Sequence, residues 1–145
     1  MSDTKKFLGK VFEMDKRVNK LTEQLATLRA RQISPAAARL GEGIQKTRNI
    51  TADEDLLIKI LMLEEKIART KGQLLRHEEQ IRLMTLNLPP IQKAVITWRY
   101  ICRNLWKDIA KKAEMSEMQI MREHNAAIKC MDMENLLHPS SSYIM

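Results

Sequence analysis

The sequence predicts an all-α protein in which a long helical hairpin precedes a compact three-helix module. Hydrophobic residues make up 44% of the 145 positions and charged residues 30%, with only 4 Gly and 4 Pro. This composition is typical of helical soluble proteins, and no alternating strand pattern competes with it. Two long series of apolar residues follow heptad spacing. Pro89 and Pro90 then separate these series from a region with shorter apolar stripes, because prolines end the preceding helix.

The first helix is predicted from apolar residues that alternate at spacings of four and three, the a and d positions of a heptad repeat. These positions are Phe7, Val11, Met14, Val18, Leu21, Leu25 and Leu28. The segment from residue 33 to about residue 52 contains Ser34-Pro35, Gly41 and Gly43. We therefore expect this segment to form a loop.

The second helix is predicted to open on a capping box formed by Thr51 and Glu54. Its apolar series again has heptad spacing, with two polar positions. The series is Leu56, Ile60, Leu63, Ile67, Thr70, Leu74, His77, Ile81, Met84 and Leu88. Neither series can stay exposed to water, so we expect residues 1–88 to fold as an antiparallel coiled-coil hairpin.

The hairpin places Leu28 opposite Leu56, and that register brings Phe7 close to His77. His77 is interpreted as a polar group in the core rather than as a ligand. Seams of this length fit an intramolecular hairpin and a dimeric four-helix bundle equally well. A homodimer formed through the hairpin is therefore left open.

The compact module is expected to cover residues 89–134, with a flexible tail at 135–145. Pro90 suits the first turn of a helix, where its missing N–H would be unpaired in any residue. Three short amphipathic helices follow, and the third begins at Ser116, an N-cap with Gln119 three residues later. The second and third helices are joined by a turn so short that a helix-turn-helix unit is predicted. Its last helix would enter a major groove.

These residues resemble a known family. The stretch "LPPIQKAVITWRYICRNLWKDIAKKAEMSEMQIMREHNAAI" is similar to the fourth conserved region of bacterial sigma factors, through Leu88-Pro89, Arg99-Tyr100, Ile109-Ala110 and Ser116. From about residue 5 to residue 131, the chain resembles small phage-encoded proteins of this type, akin to the ArpU-type late transcription regulators. The resemblance implies sequence-specific binding to promoter DNA, and it allows contact with host RNA polymerase. The chain departs from the pattern at Glu114, where such modules usually carry Gly.

The residues expected to contact double-stranded DNA fall into two groups. The exposed side of the recognition helix supplies groups that can read bases. Arg122 suits guanine, either Gln119 or Asn125 suits adenine, and the methionines suit thymine methyl groups. This group is Glu117, Met118, Gln119, Met121, Arg122 and Asn125. The second group consists of cations that can contact phosphates. It is Arg103, Lys107, Lys111, Lys112 and Lys129.

We expect a transcription regulator of the bacterial cytoplasm that is not an enzyme and needs no cofactor or metal. The net charge of +7 favours a polyanionic partner. No apolar run has the length of a membrane helix, and no signal peptide is recognisable. Cys102 and Cys130 fall on apolar helical positions and are expected to be buried, reduced thiols. The alternative is a helical protein-interaction adaptor, or a phage assembly or packaging protein, that does not recognise a promoter.

Overall fold

The structure, a computed structural model, describes residues 3–33 and 46–137. Five α-helices are formed there: α1 (Asp3–Ile33), α2 (Lys46–Met84), α3 (Pro90–Ile96), α4 (Trp106–Ala113) and α5 (Glu117–Leu137). A π-helical turn, Thr97–Ile101, continues directly from α3. No strand occurs in the described ranges, so the prediction of an all-α fold is confirmed.

Two helix ends differ from the predicted boundaries. Helix α2 begins at Lys46, so that the Thr51 and Glu54 pair lies inside the helix rather than at its start. No Gly or Pro follows Gly43 in this stretch, and nothing stops the helix from extending upstream of the pair. Helix α5 continues to Leu137, into the segment predicted to be tail. The other residues of the predicted loop and tail, 34–45 and 138–145, lie outside the described residues.

The chain divides into two compact units. The central unit is Asp15–Gln73, and the terminal unit combines Met1–Met14 with Leu74–Met145. In the central unit, α1 packs against α2 through a buried cluster of heptad positions. The cluster is Leu21, Leu25, Ile60 and Ile67, with Leu28, Leu56 and Leu63 packed against it. Its surface carries an ion pair between Arg29 and Glu64, whose Nη2 and Oε2 atoms are 2.5 Å apart.

The larger core of the terminal unit joins α1, α2, the α3 region and α5. It contains Phe7, Leu8, Val11, Leu74, Ile81, Met84, Ile96, Tyr100, Ala127, Ile128 and Met131. At its edge the Nε2 atom of His77 donates a hydrogen bond to the Phe7 carbonyl oxygen at 2.5 Å, and the two rings pack at a tilt of 35° with centroids 4.0 Å apart. The predicted proximity of Phe7 and His77 is confirmed. Satisfying the buried ring in this way offsets part of the cost of its desolvation.

A second core in the terminal unit lies among α3, α4 and α5. Val95, Ile109, Ala110 and Ile120 are buried there, with Trp98, Trp106 and Met115 packed at the edges. Pro90 occupies the first turn of α3, as predicted. These contacts fix the start of α5 against α4, and they position the surface that α5 presents outward.

The prediction that Cys102 and Cys130 are buried is wrong, because both are exposed. Cys102 follows the π-helical turn, which adds a residue per turn and so changes the direction in which the next side chains point. Cys130 lies between the buried Ile128 and Met131, but a helix turns adjacent side chains away from each other. Within the part of the chain that the structure describes, no helix has the length and apolar character needed to cross a membrane.

Candidate functional site

The turn between α4 and α5 is held in a left-handed conformation. Glu114 has φ 54° and ψ 43°, which costs a residue with a Cβ about 1–2 kcal/mol. The Met115 N–H donates to the Ala110 carbonyl oxygen at 3.0 Å, and the Glu114 N–H donates to that of Lys111 at 3.2 Å. This pair of bonds is the Schellman arrangement, which satisfies the last carbonyl groups of α4. The chain therefore makes the tight turn without the usual glycine.

Helix α5 begins with the predicted capping box. The Gln119 N–H donates to Ser116 Oγ at 3.1 Å, and the Ser116 N–H donates to Gln119 Oε1 at 3.0 Å. Two otherwise unpaired donors at the helix start are thereby satisfied. The Gln119 side chain is also occupied by this contact, so it would have to leave the cap before it could read a base.

The outer face of α5 carries the predicted base-reading residues. Met118, Arg122, Asn125 and Lys129 are separated by four, three and four residues, so they form one exposed stripe. Glu117, Gln119 and Met121 are exposed near it. Arg122 Nη2 lies 3.7 Å from Met118 Sδ, which places the guanidinium along the stripe. The structure thus brings together the helix residues that the sequence singled out.

The predicted phosphate-contacting residues differ in their exposure to solvent. Lys107, Lys111, Lys112 and Lys129 are exposed. Arg103 instead pairs with Glu78 of α2, with Nη1 and Oε2 2.9 Å apart and with the Arg103 side chain only 27% exposed. Its φ of 57° shows that it too adopts the left-handed conformation. Arg103 is therefore engaged within the terminal unit rather than presented to solvent.

A cavity of about 600 Å³ opens in the terminal unit between α1, the π-helical turn, α4 and α5. Four cationic residues line it, namely Lys5, Lys6, Lys10 and Arg99, with Glu13 as the one acidic residue among them. Phe12, Tyr100 and Trp106 supply aromatic walls. The volume falls within the range of small-ligand sites, and the lining carries more charge than most of them.

The π-helical turn positions two residues of this cavity, Arg99 and Tyr100. The Arg99 guanidinium lies between two aromatic rings, 4.8 Å from the Phe12 centroid and 4.5 Å from that of Trp106. Its Nη1 also donates to the Asn104 carbonyl oxygen at 3.0 Å. Cation–π contacts and this hydrogen bond fix the side chain before any ligand binds. Irregular π turns inside helices are frequent at functional sites.

His124 forms the floor of the arrangement. Its ring is 2% exposed, and Nε2 lies 2.6 Å from the Tyr100 hydroxyl. Burial is the main reason that the pKa of His124 is below its usual value, and the charges of Lys5 and Arg99 lower it further. The Asn125 side chain next to the ring acts in the opposite direction and raises the pKa. The buried Nδ1 atom has no hydrogen-bond partner.

Sequence reasoning missed this cavity. Its walls come from residues 5–13, 99–106 and 121–124, and no spacing rule connects those segments. One local signal was available, because His124 interrupts the inward stripe formed by Ile120, Ala127 and Ile128. A polar residue on a buried stripe requires either a partner or a function.

Comparison of the chain with protein-family models, with curated proteins and with solved structures finds no match. The resemblance to sigma region four therefore stays a prediction based on the residues themselves.

Proposed function

We propose that the chain is a non-enzymatic transcription regulator of phage type that binds double-stranded DNA in a sequence-specific way. In this proposal α3, α4 and α5 form a helix-turn-helix module that resembles sigma region four, and α5 is its recognition helix. The observation that carries the proposal is the exposed stripe of Met118, Arg122, Asn125 and Lys129, which directly follows the Schellman turn and the capping box. A short, fixed turn before a helix with a free polar face is what major-groove docking requires.

The side chains of the stripe suit base readout. Arg122 can donate two hydrogen bonds to guanine, Asn125 can bond adenine, and Met118 can contact a thymine methyl group. The exposed Lys107, Lys111, Lys112 and Lys129 supply charge for phosphates. Arg103 contributes less than its charge suggests, because Glu78 neutralises it.

We also infer that α1 and α2 form the antiparallel hairpin predicted from the heptads. In the central unit, Arg31 shares a surface depression with Asp55 and Lys59, whereas the earlier Thr22 shares one with the later Lys71. This order supports helices that run in opposite directions. The exposed apolar residues of α2 in this unit, Leu57, Ile58, Leu61 and Met62, favour a homodimer or a contact with host RNA polymerase through the hairpin.

One observation favours a second candidate function, a protein-interaction adaptor or a phage assembly or packaging protein. Met118 is 67% exposed, and exposed methionines adapt readily to protein surfaces. The outer face of α5 carries only Arg122 and Lys129 as cations against Glu117. Such a face would suit a protein groove as well as a DNA groove.

The two functions are separated by selecting bound fragments from random duplex DNA, at about physiological salt to suppress non-specific phosphate contacts. A discrete enriched motif is expected for the regulator. The Arg122→Ala variant should then lose about tenfold or more in affinity for that motif, because a bidentate contact to guanine contributes about 1–3 kcal/mol. Arg17→Ala is the matched control, since it removes the same charge from an exposed position of α1.

A folded protein that enriches no motif would favour the adaptor function. A motif that Arg122→Ala and Arg17→Ala bind equally well would refute the assignment of α5 as the reading helix.

A further inference from the structure

We propose that the cavity between α1, the π-helical turn, α4 and α5 binds a small organic phosphate of about mononucleotide size. The proposal concerns the terminal unit by itself and needs no DNA. It combines three properties of the cavity: its charge, an open space at Gly9, and a guanidinium already held in place.

The charge around the cavity favours a multivalent anion. Four cations line it against one carboxylate, that of Glu13. Lys6 and Lys10 are four residues apart on α1, so they project from the same side of the helix. Like charges gathered around one concavity repel each other, and a bound anion relieves that repulsion. Phosphate groups are the biological anions with enough charge and acceptor atoms to do this for several cations together.

Gly9 lies at the cavity beside these lysines. A Cβ atom built at Gly9 would meet no atom within 4 Å, so packing does not require glycine at this position. Glycine in the interior of a helix costs about 1 kcal/mol relative to alanine. Glycine therefore costs α1 stability with no packing benefit, and an alanine would also leave the space between Lys5 and Glu13 open.

His124 and Tyr100 supply a polar group that lacks a partner. If the Tyr100 hydroxyl donates to Nε2, the neutral ring carries its proton on Nδ1 and that N–H is unused. If Nε2–H donates instead, the hydroxyl proton of Tyr100 is unused. Either tautomer leaves one donor in a residue pair that lines the cavity. A buried donor without a partner costs about 1–3 kcal/mol. The Nδ1 atom is closed to solvent, so a ligand oxygen reaches it only if the His124 ring moves.

The Arg99 side chain is already held in position at the cavity before a ligand binds. Phe12, Trp106 and the Asn104 carbonyl oxygen already restrict its guanidinium. Groups ordered before binding lose little entropy when a ligand arrives, so affinity is higher than for a mobile side chain. The partly exposed Trp106 adds an aromatic wall for a base, while the volume of about 600 Å³ exceeds what a single phosphate group fills.

The test uses the full chain with Trp98→Phe, which leaves Trp106 as its one tryptophan. Trp106 lines the cavity, whereas Trp98 packs in the core with Ile109 and Ile120. Adenosine and guanosine monophosphates and triphosphates are titrated, alongside inorganic phosphate, pyrophosphate and uncharged adenosine. A saturable change in fluorescence with a dissociation constant below about 1 mM is expected for at least one nucleotide. The corresponding nucleoside should bind at least about tenfold more weakly, because it lacks the charge.

Three variants locate the site. Lys6→Gln with Lys10→Gln should weaken nucleotide binding by about tenfold, a value discounted because both lysines are exposed. The matched control is Lys16→Gln with Lys20→Gln, an equal change of charge at the same spacing on exposed α1 positions. Gly9→Leu should block binding by filling the space, whereas Gly9→Ala should retain most of it and raise helix stability.

Three outcomes would overturn the proposal. Absence of saturable binding would mean that the cavity binds no nucleotide. Equal losses of nucleotide affinity in the two lysine-pair variants would mean that the effect comes from general surface charge. Displacement of the nucleotide by short duplex DNA, with the same dependence on Lys6 and Lys10, would assign the cavity to DNA phosphates instead. Arg122 does not line the cavity, so Arg122→Ala should leave nucleotide affinity unchanged. Failure of DNA recognition and failure of the cavity proposal are therefore distinguishable.

Discussion

Replacing Arg103 tests whether this residue acts in DNA binding, as the sequence predicts, or in the stability of the terminal unit. Its Nη1 atom lies 2.9 Å from Glu78 Oε2, and the side chains are 27% and 9% exposed, respectively. Breaking a fully buried ion pair costs about 3–5 kcal/mol, while exposed pairs contribute about 0–1 kcal/mol. The partial exposure of Arg103 places the Arg103→Gln variant between these limits, at a loss of about 2 kcal/mol. Glutamine has a Cβ as arginine does, so the left-handed backbone at this position costs the same in both proteins.

A double-mutant cycle with Glu78→Gln gives the measurement. Thermal unfolding of the four proteins, followed by circular dichroism, should show a midpoint lower by about 4–8 °C for Arg103→Gln. The double variant should lose less than the sum of the single variants, because the uncompensated buried carboxylate is gone. A coupling energy below about 0.5 kcal/mol would refute the structural role of the pair. If stability were unchanged while DNA affinity fell, Arg103 would belong to the DNA interface.

Two further changes test the turn and the buried histidines. Glu114→Gly should raise the free energy of unfolding by about 0.5–1 kcal/mol, because the backbone strain removed at φ 54° exceeds the entropy cost of glycine. The control Glu117→Gly, in helix α5, should lower the free energy of unfolding. Equal effects of the two substitutions in urea unfolding would contradict the left-handed turn. The pKa of His77 and that of His124 are both lowered from 6.5, mainly by burial. The unfolded rings therefore bind protons at higher pH than the folded ones, so stability should be full above about pH 6.5 and should fall as the pH decreases below it. Melting curves from about pH 5 to about pH 8 should show this loss of stability, and His77→Gln should make the loss smaller. A variant whose stability depends on pH as the original protein's does would contradict a neutral, buried His77.

The features that the sequence predicts well are those encoded by local spacing. Heptads describe the apolar residues that α1 and α2 bury in the central unit, including Leu21, Leu25, Ile60 and Ile67. In the terminal unit Leu8 is also fully buried, although it lies off the predicted series. The Ser116 and Gln119 pair predicts the start of α5, because a capping box requires only residues three positions apart. The left-handed conformation of Glu114 falls at the position that the resemblance singled out, because modules of that type usually carry Gly there.

The features that were missed depend on irregular backbone and on tertiary contacts. The π-helical turn has no spacing signature, so the burial pattern predicted for a continuous α-helix fails after Thr97–Ile101 and Cys102 becomes exposed. The sequence pattern indicates that Arg103 is a surface cation, because its partner Glu78 lies 25 residues earlier in the chain, on α2. The cavity is the extreme case, since Lys5 and His124 come from opposite ends of the described chain.

The two proposed roles of the terminal unit meet at α5. Ile120, Ala127 and Ile128 hold the helix in the core, while Arg122 and Asn125 face outward. Met121 belongs to both surfaces, since it lines the cavity and is exposed beside the outward stripe. A ligand that moves Met121 can change DNA affinity, and thermodynamic linkage then requires DNA to change ligand affinity by the same factor. A nucleotide titration repeated with saturating target duplex measures that factor. A factor of one would mean that the two sites are not energetically coupled, although both use α5.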